Sequence, residues 1–433
     1  PKFVVGDTMK TDQDKKLPSF LQALGPGLLF AGMAVGVSHL MQSTRAGALY
    51  GITAIAFVLF AHFLKYPAIR FGTQYAAATG QSLLHAYRNM GKSYLIFYGI
   101  VLAANVLIGL AAISLVTGML LKIVFDLPYS VAAVSITFML IAGLFLKFGH
   151  FSWLDRINKV LVLVLTVATL GATAIILPQL DISSLFSNIT LELVDIELKQ
   201  FFFLAALIGW MPTSVEVSVV QSLWSTAKAE SVGNKLRFNH QIIDFNIGFI
   251  GSVVLAICFV IMGTVMVQES SLGQPGLVGI AKQLIDLYYR ALGDFAGTIV
   301  SFSAVCIMAT TALTVLDSAP RGVTEWLAVW SDNKEQIGLK QNQIYDGLLS
   351  AQILIAIFII LFFMSSITSM VDLVTTIAFL SGPILAYFNH RAVNNQYVEL
   401  AMRPSALLKL WSLISIVLMA TLALCYLGIT LFI

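Results

Sequence analysis

The first apolar segment of this chain is interrupted by Gly32-Met33-Ala34-Val35-Gly36-Val37-Ser38-His39. The sixth apolar segment has a similar interruption, Gly209-Trp210-Met211-Pro212-Thr213-Ser214. Glycine and proline are disfavoured inside a helix, so both segments should break near their middles. Because the segments lie five apart in order, a 5+5 inverted repeat would place the two breaks face to face at the bilayer midplane. This arrangement is typical of a transporter site.

The composition places the whole chain in a membrane. Of its 433 residues, 58% are hydrophobic and only 11% are charged, whereas a soluble domain carries roughly 25% charged residues. Uncharged stretches at 19–44, 245–267 and 410–433 are each long enough to cross ~30 Å of hydrocarbon as a helix. An ordinary soluble enzyme is therefore excluded. The net charge of +3 is too small to suggest a nucleic-acid partner.

Apolar windows separated by charge, proline or glycine predict an all-α integral membrane protein with eleven transmembrane helices. Residues 1–20 form a short cytoplasmic tail, and residues 21–433 form a single transmembrane domain. Helices 1–5 occupy about 22–178, helices 6–10 about 201–390 and helix 11 about 408–432. The predicted spans, numbered 1 to 11, are 22–47, 51–70, 93–121, 130–147, 156–178, 201–224, 240–267, 294–317, 346–365, 370–390 and 408–432.

The distribution of basic residues predicts the orientation. If the N-terminus is cytoplasmic, most of the 25 Lys and Arg residues, Lys65 among them, lie on the inner side. Cytoplasmic connections carry such an excess of Lys and Arg. We therefore expect a cytoplasmic N-terminus and an extracellular or periplasmic C-terminus, in a prokaryotic plasma membrane. The exceptions, on the outer side, are Arg45, Lys122, Lys199, Lys282 and Arg290.

Several motifs resemble those of the NRAMP family of proton-coupled divalent metal transporters. They include Gly25-Pro26-Gly27-Leu28-Leu29 at the start of span 1, Ala46-Gly47-Ala48-Leu49-Tyr50-Gly51 at its end, Arg70-Phe71-Gly72, Ala78-Thr79-Gly80, Met211-Pro212 and Ile243-Asp244. The resemblance covers nearly the whole chain. It implies a LeuT-like fold with a 5+5 inverted repeat and broken helices 1 and 6.

The chain departs from that family where the metal would lie. The family's Asp-Pro-Gly-Asn falls on Gly36-Val37-Ser38-His39, which removes the carboxylate. The family's Met-Pro-His-Asn falls on Met211-Pro212-Thr213-Ser214, which keeps the thioether but replaces imidazole and amide by hydroxyls. Span 3, which carries acidic proton-path residues in the family, has no acid between Lys92 and Asp126. A neutral site of this kind is poor for manganese or magnesium.

The same positions suit an anion. Free N–H groups and the positive dipole end of a resuming half-helix point into each break. The expected function is secondary active transport of a small inorganic anion, with bicarbonate as the first candidate, and the site resembles a divergent NRAMP-related branch associated with bicarbonate uptake. The alternative is a proton-coupled divalent metal transporter with an altered His/Met site. The predicted substrate-binding residues are Gly36, Val37, Ser38, His39, Met211, Pro212, Thr213 and Ser214.

An anion entering a negative cell interior needs a driving ion, and sodium is the expected one. LeuT-like folds hold sodium between carbonyls at the first break and hydroxyls of the eighth helix. The resemblance therefore implies a sodium site formed by Met33, Gly36, Thr310, Thr311 and Thr314. Alternatively, these threonines bond back to their own helix. Apart from sodium we expect no cofactor; the other partners are the lipid bilayer and the transported ion, with no obligate protein partner.

Three further residues stand out. Thr213-x-x-Glu216 matches a capping box for the inner half of span 6, and a role of Glu216 in ion coupling is the alternative. Arg45 either attracts an anion or extends to the interface, and Asp244 should pair with Arg237 or Arg70. The chain contains no zinc-hydrolase, phosphate-loop or serine-hydrolase motif, so we expect no enzymatic activity.

Overall fold

The computed structural model describes residues 25–147, 151–179, 198–231, 236–269, 277–331, 341–362 and 367–432. Within them, seven helices are long and apolar enough to cross a membrane, and three shorter apolar helices accompany them. The protein is an all-helical integral membrane protein, as predicted. The predicted N-terminal tail lies outside the described residues.

Each predicted span coincides with a helix. Spans 1 to 5 correspond to Pro26–Ala34 with Thr44–Tyr50, Ala54–Thr79, Lys92–Val124, Val131–Lys147 and Phe151–Ile176. Span 6 is divided into Leu198–Trp210 and Val217–Ser231. Spans 7 to 11 correspond to Phe238–Glu269, Leu277–Ser331, Gln341–Phe362, Ile367–Val393 and Ala406–Phe432. An additional short helix, Leu83–Met90, joins spans 2 and 3.

The connection between spans 7 and 8, predicted to run over about 268–293, is helical from Leu277 onward. Gly293 has a φ of 79° and separates this helix from span 8. The charged residues of this helix, Lys282, Asp286 and Arg290, follow one another at intervals of four and are exposed, which is compatible with an amphipathic helix lying at the membrane surface.

Both predicted breaks are present, and they differ in form. In span 1 the chain leaves helical geometry at Gly36, whose ψ is −130°, and continues through wide π-type turns over Val35–Ser43. In span 6 the helix ends at Trp210 and resumes at Val217. The intervening residues form turns and extended chain, with a cis peptide bond between Met211 and Pro212.

The helices pack in two groups. The helices of spans 1, 2 and 7 and the inner half of span 6 pack against one another, whereas span 8 packs against spans 3, 5 and 9. Span 10 contacts spans 2 and 3, the outer half of span 6 and span 11. The two breaks therefore meet where the groups adjoin.

Spans 1 and 7 approach each other backbone to backbone at two crossings. At the inner crossing a Cβ on Gly27 would overlap the carbonyl of Asp244, and one on Gly248 would overlap that of Gly27. At the other crossing, a Cβ on Gly47 would overlap the carbonyl of Val260, and one on Gly263 would overlap the carbonyl of Thr44. Only glycine permits contacts this close.

Candidate functional site

A cavity of about 120 Å³ opens between the two breaks. Ser38, Thr213, Ser214 and Thr311 contribute polar groups to its wall. The rest of the wall is mainly apolar and includes Met33, Val37, Leu102, Val106, Trp210 and Val315. The cavity continues past Tyr98, Ala319 and Gly322, toward the side that the basic residues predict to be cytoplasmic.

Ser38 connects the two breaks. Its hydroxyl oxygen lies 2.9 Å from the carbonyl oxygen of Pro212 and 2.5 Å from that of Ala34. The same oxygen is 2.9 Å from Nδ1 of His39. One hydroxyl has a single proton to donate, so these three acceptors compete for it. The arrangement makes Ser38 the direct polar contact between span 1 and the span 6 break.

His39 does not line the cavity. Its ring is fully buried and turned toward span 7, where Nε2 donates to the carbonyl oxygen of Ser252 at 2.9 Å. The ring packs edge-on against His62, with centroids 6.2 Å apart. Because a carbonyl only accepts, Nε2 carries a proton and Nδ1 is left to accept from Ser38. The predicted role of His39 as a direct donor to substrate is not visible in this geometry.

The other predicted substrate residues divide between side-chain and backbone roles. The Met211 side chain is fully buried in the apolar core, with Sδ 3.9 Å from the hydroxyl of Ser43. Pro212 contributes its carbonyl oxygen to Ser38. Val37 supplies apolar wall. The structure therefore brings Ser38, Thr213 and Ser214 together at the cavity and leaves Met211 outside it.

The predicted sodium residues are close together, and their hydroxyls bond within span 8. Thr310 and Thr311 both donate to the carbonyl of Ile307 at 2.9 Å, and Thr314 donates to that of Thr310 at 2.7 Å. Gly36 lies against Thr311, because a Cβ on Gly36 would be 2.8 Å from Thr311 Cγ2. A threonine that donates its proton to a carbonyl still has lone pairs to offer a cation.

Lys65 is a functional candidate that the sequence prediction placed wrongly. We expected it at the cytoplasmic surface, but its side chain is only 2% exposed. The ammonium donates to the carbonyl oxygens of Gly209 at 2.5 Å and Thr213 at 2.7 Å. It thus satisfies backbone acceptors that the span 6 break leaves free. The available signal was a lysine inside an otherwise uncharged run of span 2.

Glu216 is the second correction. A capping box would need the helix to begin just after Thr213, but the inner half-helix begins at Val217. Glu216 instead lies in the break, is 8% exposed and lines the cavity. Its Oε2 atom has no hydrogen-bond partner among the described residues. The break is longer than its Gly and Pro residues indicated.

Ion pairs lie on either side of the cavity. Arg45 and Asp372 form a two-pronged ion pair between spans 1 and 10, with distances of 2.7 and 3.3 Å. The guanidinium also lies 4.4 Å above the Phe203 ring. Arg45 is thus neither a free anion attractor nor an interfacial side chain, and the pair lies on the predicted outer side of the breaks. On the inner side, Arg321 pairs with Asp317 at 2.8 Å.

Asp244 has a role at the start of span 1 that was not predicted. Its carboxylate accepts from the backbone N–H groups of Gly25 at 3.2 Å and Gly27 at 2.7 Å. These groups open the first helix and have no acceptor within it. Span 7 therefore caps the start of span 1.

Across the described part of the chain, no group of three or more His, Cys, Asp or Glu side chains is placed to hold a metal ion.

Comparison with solved structures identifies the fold. A manganese transporter of Eremococcus coleocola matches with a TM-score of 0.65 at 15% identity, covering 97% of this chain and 90% of that one. MhsT in complex with L-phenylalanine also matches at 0.65 and 15%, covering 93% and 97%. Mhp1, a nucleobase-cation-symport-1 family transporter, matches at 0.57 and 11%, covering 94% and 92%. The chain has the LeuT fold, as expected.

Sequence comparison finds a relative in Pasteurella multocida (strain Pm70). The uncharacterized protein PM0681 is 31% identical over 369 residues, which cover 85% of this chain and 84% of the relative. No family model matches.

Proposed function

The chain belongs to the same family as PM0681 of Pasteurella multocida, and we propose that it is a secondary active transporter that moves a small anion by alternating access. The observation that carries this proposal is the cavity between the breaks of spans 1 and 6, lined by Ser38, Thr213 and Ser214. The structures that share its fold include a manganese transporter and a nucleobase-cation-symport-1 transporter. We place the chain in a prokaryotic plasma membrane with the N-terminus in the cytoplasm.

Three features support an anion as the substrate. The hydroxyl groups of Thr213 and Ser214 line the cavity. The amino group of Lys65 lies next to Thr213 and donates to its carbonyl oxygen at 2.7 Å. Position 36 has no carboxylate to repel an anion. Among small anions we propose bicarbonate first, because its oxygens can accept from several donors at once.

Sodium is the proposed driving ion. The backbone at Gly36 lies against Thr311, which brings the span 1 break next to a hydroxyl of span 8. Oxygen ligands from carbonyls and hydroxyls suit a hard monovalent cation.

The alternative substrate is a divalent metal ion, and a manganese transporter is among the structures that share the fold. The side chains argue against it. His39 is turned toward Ser252, and Met211 is buried in the core. The His/Met pair that would bind a soft metal is therefore not assembled at the cavity.

Uptake into proteoliposomes tests the proposal. Labelled bicarbonate and manganese are supplied separately, each with an inward sodium gradient and without one. We expect saturable, sodium-dependent bicarbonate uptake that is strongly reduced by Thr213→Val together with Ser214→Ala. Ser350→Ala, which removes an exposed hydroxyl on Gln341–Phe362, is the matched control. Saturable manganese uptake that cadmium inhibits, with no uptake of any anion, would contradict the proposal.

A further inference from the structure

The proposed anion site contains a carboxylate that the transport mechanism has not yet used. Glu216 lines the cavity, is 8% exposed, and has one oxygen, Oε2, without a hydrogen-bond partner among the described residues. Asn105 lines the same cavity, and its side-chain amide nitrogen and oxygen are also unpartnered within that part of the chain. Buried polar atoms normally have partners. These free atoms of Glu216 and Asn105 are available to bind a transported species.

The charged and titratable groups around Glu216 come from several helices. Lys65 of span 2 and Tyr98 of span 3 interact with it electrostatically, and Ser214 contacts its carboxyl group. His62 and His39 lie beyond Lys65, on spans 2 and 1. Span 8 contributes hydroxyls to this wall, Thr311 and Ser318. Lys65 is the one cation among these groups, and Glu216 is the one carboxylate.

Charge balance links these groups to the substrate. With Lys65 protonated and Glu216 ionised, the empty site is neutral overall. In the absence of a bound cation, an added anion would leave one uncompensated negative charge in a poorly solvated cavity, beside a carboxylate, which is strongly unfavourable. A proton on Glu216 restores neutrality. It also turns an acceptor into an O–H donor that can bond the anion.

We propose that Glu216 binds a proton when the anion binds, so that the anion and the proton cross the membrane together. This inference rests on the proposed anion transport. The proton comes from the aqueous side to which the cavity is open, bonds to a carboxylate oxygen of Glu216, and returns to water on the other side when the anion leaves. No covalent bond to the anion forms or breaks. Sodium at Gly36 and Thr311 would lie at the wall of the same cavity and would add a positive charge of its own, so the two couplings are separated by measuring the effect of pH at constant sodium.

The pH dependence of anion binding provides the test. Binding of the proton favours binding of the anion, and binding of the anion favours binding of the proton. The affinity for the anion should therefore rise as pH falls, by about tenfold per pH unit in the range where one proton is taken up. Nitrate is the reference probe, since its charge is constant between about pH 5.5 and 8. Bicarbonate is measured alongside it, with its concentration corrected for pH. Both are titrated into the purified full-length protein with sodium held constant.

Variants locate the proton. The Glu216→Gln protein should bind the anion with an affinity that does not depend on pH. In the Glu216→Asp protein, the anion affinity should change with pH as it does in the unmodified protein. Glu399→Gln, an exposed carboxylate, should behave as the unmodified protein. Gel filtration and thermal unfolding check that each variant is folded. If the Glu216→Gln protein does not fold, the proposal is tested by the change of anion affinity with pH in the unmodified protein and in the Glu216→Asp protein.

Each remaining outcome has one meaning. Anion binding that does not change with pH in the unmodified protein overturns this inference and leaves the proposed function standing. A slope that persists in folded Glu216→Gln also overturns it, because the proton then binds another group, such as Lys65. Failure of the unmodified protein to bind either anion at any pH overturns the proposed function itself.

Discussion

The breaks in spans 1 and 6 occupy matching positions in the fold but are stabilised in different ways. The span 1 break keeps most of its hydrogen bonds local, through π-type turns and through Ser43, whose hydroxyl donates to the carbonyl of Ser38. The span 6 break depends on other helices, because Lys65 and Ser38 supply donors to its free carbonyls. The span 1 break is therefore stabilised mainly by hydrogen bonds within its own segment, and the span 6 break by side chains of neighbouring helices.

This difference teaches where each break is vulnerable. A self-contained break should respond chiefly to changes of shape within the segment. A break held by partners should respond to loss of a partner far away in sequence. In a membrane interior, an unsatisfied carbonyl is costly because no water replaces the lost donor.

The largest expected effect is that of Lys65→Met. The substitution keeps a long apolar stem but leaves the carbonyls of Gly209 and Thr213 without their donor. Each unsatisfied group costs about 1–3 kcal/mol, so we expect a marked fall in the thermal unfolding midpoint in detergent.

Lys122→Met is the matched control. Lys122 also donates to two carbonyls, those of Leu127 and Tyr129, but at a partly exposed position where water can replace it. Equal destabilisation by the two substitutions would show that burial of the span 6 break is not what makes Lys65 important.

Gly36→Ala probes the shape of the span 1 break. The new Cβ would lie 2.8 Å from Thr311 Cγ2 and 2.9 Å from Thr311 Oγ1. Overpacking of this kind costs about 1–3 kcal/mol, and uptake should fall with stability. Gly251→Ala is the control, because nothing lies within 4 Å of its added Cβ. A fully stable and active Gly36→Ala protein would show that the two segments separate easily.

Ser38→Ala probes the contact between the breaks. It removes the hydroxyl that lies 2.9 Å from the carbonyl of Pro212, and a buried hydrogen bond contributes about 1 kcal/mol. Combined with Lys65→Met, the loss should exceed the sum of the single losses, since both residues serve the same break. Strict additivity in unfolding experiments would mean that the two contacts are independent.

The smallest effect on stability is expected for Thr311→Val, which keeps the shape and removes one oxygen. Its hydroxyl bonds only to the carbonyl of Ile307 among the contacts described, so unfolding should be nearly unchanged. The sodium concentration needed for half-maximal uptake should rise. Unchanged sodium dependence would place the driving ion away from span 8.

The sequence was sufficient to predict the fold and the positions of both breaks, because Gly, Pro and apolar length act locally. The side-chain contacts of the site could not be predicted from the sequence. Lys65 is 144 residues from Gly209, and no local pattern connects them. His39 was assigned to the cavity because it falls on the first-helix motif of the family that the chain resembles. The chain is not regular at Gly36, so the position in the motif does not fix the direction of the side chain. Glu216 was misjudged because the break extends past Ser214.

The glycine crossings between spans 1 and 7 have a mechanical consequence. Two helices in backbone contact near both ends, at Gly27 with Gly248 and at Gly47 with Gly263, have no side-chain layer between them to shear. We expect spans 1 and 7 to move together, because the Asp244 carboxylate also accepts from the backbone N–H of Gly27 in the first turn. Gly36 lies between the two crossings and is the residue of span 1 with non-helical geometry, so we expect any change of angle between the two halves of span 1 to occur there.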